Sequence, residues 1–243
     1  MPTITLPPDM PSTMRQLPRD EVGRPVPFFV AKVNGVYDFR IMDPAHMLEC
    51  ITDQLCWTCG HRLNRVRGGN APRGTFVAGP MCLINRTSAE PPSHTACAEW
   101  AAKACPFLAK PAKVRREGGL PDAALDEAPG LMLTRNPGVT ALIDSERWRY
   151  YQVDGDPEIG SKGGILCQFA RVVNVQWMRE GRQAREPEVL DSLDSGLPTL
   201  MEISHKDPGG PRALAAKTRD ALRWIGGFDP TAYPNIAATL QEL

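Results

Sequence analysis

The amino-acid pattern predicts an α+β fold: an N-terminal β-hairpin and helix, a cysteine-rich central module, then antiparallel strands followed by helices. Three observations carry this. Short runs of β-branched and aromatic residues bounded by turn residues alternate with segments whose apolar residues recur at helical spacing. Five of the seven cysteines fall between residues 56 and 105. Helical segments opened by proline gather at the C-terminal end.

Residues 1–26 hold six prolines, Pro2, Pro7, Pro8, Pro11, Pro18 and Pro25. Each lacks a backbone donor and restricts its predecessor, which predicts an extended arm without regular structure. Phe28–Val33 and Val36–Ile41 then read as a hairpin about Asn34-Gly35, the dipeptide a two-residue type I′ turn favours. Asp43-Pro44 is an N-cap with proline in the first turn, and it opens a helix to about Leu55. Met47, Leu48, Ile51 and Leu55 form its predicted apolar face.

The central segment begins with Cys56-Trp-Thr-Cys59-Gly60 and continues through a polar glycine-rich loop to Gly74. Thr75–Ala78 and Met81–Ile84 read as short strands joined through Gly79-Pro80 as a hairpin. Ser93 is placed to cap a helix from His94 to about Cys105. Residues 27–109 are thus one hairpin–helix and cysteine-rich unit. The charged, poorly apolar run from Lys110 marks a linker over 110–136.

The remainder, 137–243, contains predicted strands at Val139–Ile143, Trp148–Val153, Gly164–Ala170 and Val172–Trp177. A helix from Pro187 is expected to stop at Gly196, a second to run from Pro198 through Ile203, and a last one to span Arg212–Ile225.

Length and composition exclude several classes. With 243 residues, 42% apolar side chains and 28 basic against 28 acidic groups, the chain can build a core and lacks the signature of disorder. No apolar run approaches the ~18 residues of a membrane span, and Met1–Met14 has no basic-then-apolar signal pattern. A cytoplasmic protein without membrane association is expected. Phosphate-loop, dinucleotide, nucleophile-elbow and His-Glu-x-x-His motifs are all absent, which lowers the expectation of catalysis.

An odd number of cysteines without a secretion signal argues for metal over disulfides. Cys56 and Cys59 form a knuckle on a tight turn. His94 and Cys97, three apart on the first turn of a helix, face one point. A Cys3His set of this kind suits a closed structural zinc site. Cys82 and Cys105 stand as alternative ligands in place of His94, and Cys50 and Cys167 read as core residues.

Knuckle, hairpin and ligand-bearing helix over residues 56–105 resemble the treble-clef zinc fingers. That resemblance implies a structural zinc and, in one subclass, an HNH-like metal-dependent nuclease, for which His61 and Asn85 would be the candidates here. Cys56–Leu108, with its Gly-Pro-Met-Cys, Asn-Arg-Thr-Ser-Ala-Glu-Pro-Pro-Ser-His and Cys-Pro-Phe-Leu segments, is also similar to uncharacterised proteins of bacteriophages and their bacterial hosts. This similarity implies no known activity and favours a modulator of host proteins or nucleic acids.

Residues 51–118 carry ten basic and four acidic side chains, whereas 119–243 carry thirteen and eighteen. Arg62, Arg65, Arg67, Arg73 and Arg86 surround the knuckle and are the candidate partner-binding residues. They are set to meet another protein, or nucleic acid in second place, or else the chain's own acidic half.

Overall fold

The computed structural model describes residues 8–66, 71–110, 118, 129, 138–159 and 162–243. Arg67, most of the predicted linker and the first seven residues of the arm lie outside that set.

Strands β1 (Val30–Val33) and β2 (Val36–Met42) form the predicted hairpin. Asn34 and Gly35 take positive φ, 49° and 85°, as the tight turn requires. Asp43 accepts from the N–H groups of Ala45 and His46 and caps helix α1 (Pro44–Asp53). Of the expected apolar face, Met47 and Ile51 are half-buried; Cys50 is the buried residue of the helix, and Phe28 stacks on the half-buried His46 ring at 4.1 Å. Leu48 is left 53% exposed.

After strand β3 (Gly74–Ala78) the chain does not turn back as a hairpin. Pro80–Asn85 is a short helix, α2, with Gly79 at its N-cap and Pro80 in its first turn. Successive Leu83 and Ile84 are both buried, which one helix face permits and an alternating strand does not. Strand β4 (Thr87–Ser88) follows, then helix α3 (Thr95–Ala104). Strands β5 (Thr140–Ser145), β6 (Trp148–Val153), β7 (Gly164–Phe169) and β8 (Val172–Arg179) match the four predicted segments closely, and β9 (Arg182–Gln183) is a short addition.

All strand pairing among the described residues is antiparallel. One sheet has the order β3-β5-β8-β9 and another β4-β7-β6, so strands from both sides of residues 110–136 share each sheet. The four-stranded sheet is covered on both faces. Phe76, Ala141, Ile143 and Trp177 pack against Leu83 and Ile84 of α2 and the C-terminal helices. Val77, Leu142 and Met178 pack against Ala98 and Ala102 of α3.

The C-terminal helices are α4 (Glu186–Ser204), α5 (Gly210–Leu222) and α6 (Pro234–Leu240). The predicted break at Gly196 and Pro198 is absent, and α4 runs through both. Proline removes one hydrogen bond from the ladder, but the buried Val189, Leu190, Leu193 and Leu197 keep one apolar stripe continuous. Gly196 is small because Met81 lies on it; a Cβ there would stand 2.7 Å from the Met81 sulfur. Helix α6 was not anticipated. Its N-terminus is held by Asp194, which accepts from the backbone of Asn235 and Ile236 at 2.9 Å each.

Gly196 and Gly210, both within described helices, make opposite predictions. At Gly210 a Cβ would fall on the backbone carbonyl of Ser204, which cannot swing aside. Gly210→Ala is expected to cost about 1–3 kcal/mol. At Gly196 the obstacle is the flexible Met81 side chain, and alanine gains helix propensity, so Gly196→Ala should shift stability by less than about 1 kcal/mol. Urea denaturation of the two variants reads the difference.

Candidate metal centre

The knuckle is built by backbone geometry. Gly60 takes φ +73° and donates to the Cys56 carbonyl at 2.8 Å, while Cys56 N–H donates to the carbonyl of His61 at 2.7 Å. Glycine also makes room for the Phe28 ring, which a Cβ would meet at 2.7 Å. The turn aims the Cys59 N–H at the Cys56 sulfur, 3.4 Å away.

The second pair enters on α3. Ser93 is not its cap, as the sequence suggested. The N-cap is His94, and the Ser93 hydroxyl is hydrogen-bonded instead to Thr58 of the knuckle at 2.8 Å. That buried contact fixes the start of the helix on the turn. His94 N–H then points at the Cys56 sulfur, 3.3 Å away, and Cys97 follows within the first turn. The His94 Nε2–H donates to the carbonyl of Arg62 at 2.9 Å, which turns Nδ1 toward the thiols.

Cys56, Cys59, His94 and Cys97 bring their donor atoms within 4.8 Å of one another, and the three cysteines are buried. The His94 Nδ1 lies 3.4 Å from the Cys59 sulfur and 3.9 Å from that of Cys97. The edges of a tetrahedron around zinc are about 3.6 Å for nitrogen–sulfur and about 3.8 Å for sulfur–sulfur. The set can therefore hold a metal ion. Among the described residues it is the only group of three or more histidine, cysteine or acidic donors so arranged.

Without a cation the cluster is electrostatically frustrated. Burial opposes ionisation of Cys56, yet hydrogen bonds from Cys59, Cys97 and His94 outweigh it and hold this thiol well below its ordinary range. Cys97 is pushed the other way, by its hydrogen bonds to Cys56 and Cys59 and by burial. His94 is raised to about 10 through its bonds to Cys56 and Cys59, against the effect of burial. A bound divalent cation would replace this shared-proton arrangement with three thiolates and a neutral imidazole.

The described part of the arm predicted to lack regular structure folds onto this site. Ser12–Met14 is a turn of 3-10 helix, and Met14 is fully buried among Cys56, Cys59, Leu63, Cys97 and Trp100. The Thr13 hydroxyl lies 3.6 Å from the Cys97 sulfur. Nothing in the composition of the arm marked these two residues. The Arg62 carbonyl, being backbone, left no signal either.

The other candidates lie elsewhere. Cys82 sits on α2 against the main core, and Cys105 caps the end of α3, roughly 12 Å along the helix from Cys97. Burial raises both thiols. Cys50 and Cys167 are core residues whose thiols burial pushes up to about 12. His61 is exposed, with its Nδ1 3.1 Å from the Cys59 carbonyl oxygen. Asn85 is on α2, across the sheet from α3.

The candidate arginines divide. Arg62 and Arg65 are exposed beside the knuckle. Arg73 donates to the buried Asp144 at 2.9 Å, and Arg86 pairs with Asp220 of α5. These two meet acids of the C-terminal part of the chain.

No protein family, curated protein or solved structure matches the chain. Neither the treble-clef nor the phage resemblance gains support there, and the hairpin expected between knuckle and ligand helix is replaced by β3 and α2. No helix among the described residues is long and apolar enough to cross a membrane.

Met14→Ala should cost about 2–5 kcal/mol, because it opens a cavity against the cysteines; thermal denaturation in the presence of metal measures it. Imidazolium–thiolate pairing stabilises the metal-free fold below the ordinary histidine range and is lost as pH rises through about 10. Metal uptake must displace that proton and the thiol protons, so affinity should fall on acidification. Competition against a coloured chelator over a pH series tests the sign.

Proposed function

We propose that the Cys3His cluster holds a structural Zn2+ and that the chain is a zinc-stabilised recognition protein. The observation that carries this reading is the closed set of four donors. Thiolate and imidazole favour zinc over hard cations, and four protein donors complete its tetrahedron without a place for water or substrate. Main-chain N–H groups on the Cys56 sulfur and the Arg62 carbonyl on His94 are the outer contacts such a site uses. The metal would join the knuckle, α3 and the arm into one body against the sheet.

Recognition is assigned to the surface beside the knuckle, where Arg62 and Arg65 are exposed and suited to an acidic partner, a protein before a nucleic acid. The nuclease alternative draws no such support, since His61 has no carboxylate cluster around it among the described residues.

Mass spectrometry of protein purified without added metal or chelator is expected to find close to one zinc per chain. Cys59→Ser should lose both the metal and cooperative unfolding, because binding free energy at such a site is folding free energy. Well-folded protein without zinc would overturn the assignment. Arg62→Glu with Arg65→Glu should leave metal content unchanged and weaken retention on an acidic matrix at low salt.

A further inference from the structure

Two neighbouring cavities, neither lined by the metal-site donors, lie where β8 meets the end of α5. One, of about 530 Å³, is lined by Arg86, Arg171, Val172, Asp220, Arg223 and Trp224. The other, of about 480 Å³, runs beside Asn174, Gln176, Gln183 and Glu186 and is walled by the same Trp224. β8 is common to both, through Val172 in the first and Asn174–Trp177 in the second. β9 pairs only with Met178 and Arg179, so no described strand covers that stretch of edge.

The first cavity is cationic and incompletely satisfied. Arg86 projects from the end of α2, where it takes the left-handed φ of +60°. Its Nη2 pairs with Asp220, but its Nη1 is buried with no acceptor. A buried guanidinium donor without a partner is rare; having no exposed surface, this nitrogen lends the cavity charge rather than a hydrogen bond. Arg171 and Arg223 reach the same space, with side chains 73% and 72% exposed. Each is tied by one nitrogen, to Glu146 and Asp220 respectively, at 3.3 Å. Three guanidinium groups thus face two carboxylates.

The second cavity has a different chemistry. Gln176 and Gln183 offer amides, each able to donate and to accept, and Glu186 adds an accepting carboxylate, while the Asn174 amide is engaged with Asp144. The half-buried Trp224 stands between the two, held by its carbonyl, which accepts from the Trp177 indole at 3.2 Å. A basic pocket, an aromatic wall and an amide-lined pocket in that order match one kind of ligand: an oxyanion joined to a flat ring with a hydrogen-bonding edge.

We propose that this cleft binds a nucleotide unit, its phosphate against Arg86, Arg171 and Arg223, its base against Trp224 and the amides. Free mononucleotides and single-stranded nucleic acid share this chemistry. Stacking on tryptophan with amide contacts to the base edge is how unpaired bases are read. The cleft needs no metal and is independent of the zinc assignment.

Calorimetric titration of the metal-loaded full chain at low salt tests it, with the four ribonucleoside monophosphates, inorganic phosphate, a short oligoribonucleotide and a polyglutamate peptide as probes. At least one monophosphate should bind about tenfold more tightly than phosphate, the worth of one stacked base. Arg171→Gln with Arg223→Gln, both exposed positions, should weaken it by about tenfold or more. Gln176→Ala should change the order of preference among bases, and Trp224→Phe should retain more affinity than Trp224→Leu at unchanged circular dichroism. Tighter binding of the oligoribonucleotide than of any monophosphate makes a strand the ligand, and the reverse makes it a free nucleotide; both support the cleft. Equal affinity for phosphate and nucleotides would reduce it to an anion site and overturn the proposal. So would binding of the peptide alone, no binding by any probe, or affinity unmoved by the arginine variants.

Discussion

The pairing of β3 with β5 is the contact on which the rest of the molecule depends. It sets Thr75 opposite Asp144 and Phe76 opposite Ile143, bringing a strand of the cysteine-rich segment into one sheet with the C-terminal strands. The pleat then turns Phe76 toward α2 and the C-terminal helices and Val77 toward α3. On its outer side Thr75 exchanges both backbone hydrogen bonds with Ser93, at 2.8 and 2.9 Å. Five residues thus connect the sheet, both helical layers and the entrance of the ligand-bearing helix.

Asp144 makes that arrangement specific. It is 2% exposed on the central strand of the pairing, where an unpaired carboxylate would be costly. It accepts from Thr75 at 2.5 Å, Arg73 at 2.9 Å and Asn174 at 3.4 Å, and Thr75 in turn bonds Thr95 at the start of α3. A shift of β3 by one residue would place an apolar side chain among these groups and bury the carboxylate without partners. The arginine excess of the central segment is partly spent on this kind of internal pairing, through Arg73 here and Arg86 at Asp220, and only partly presented to solvent at Arg62 and Arg65.

What the sequence discloses follows from how local each determinant is. The hairpin at Asn34-Gly35, the Asp43 cap, the knuckle and the β5 to β8 segments depend on neighbouring residues and are legible. The four donors were visible because the cysteine and histidine spacings encode a turn and a helix start. Among the features that were not legible, three show a tertiary cause plainly. Met81–Ile84 is helical because Leu83 and Ile84 must face the same core. α4 passes Gly196 and Pro198 because Met81 and a continuous apolar stripe support it. Met14 is buried because a groove made by the cysteines and Trp100 accepts it, and no periodicity in a proline-rich arm reports that.

The separation of the donors along the chain has a further consequence. Cys56 and His94 are 38 residues apart, and the Thr13–Cys97 contact spans 84. An ion held by both ends of the first interval acts as a reversible cross-link. By the loop-closure relation used for disulfides, a ring of that size removes about 4 kcal/mol of entropy from the unfolded chain. The benefit falls largely on the disordered state and leaves no mark on the folded contacts. The same topology orders assembly: Ser12–Met14 is synthesised before α3, yet it can seat only after Cys97 has emerged and α3 has formed.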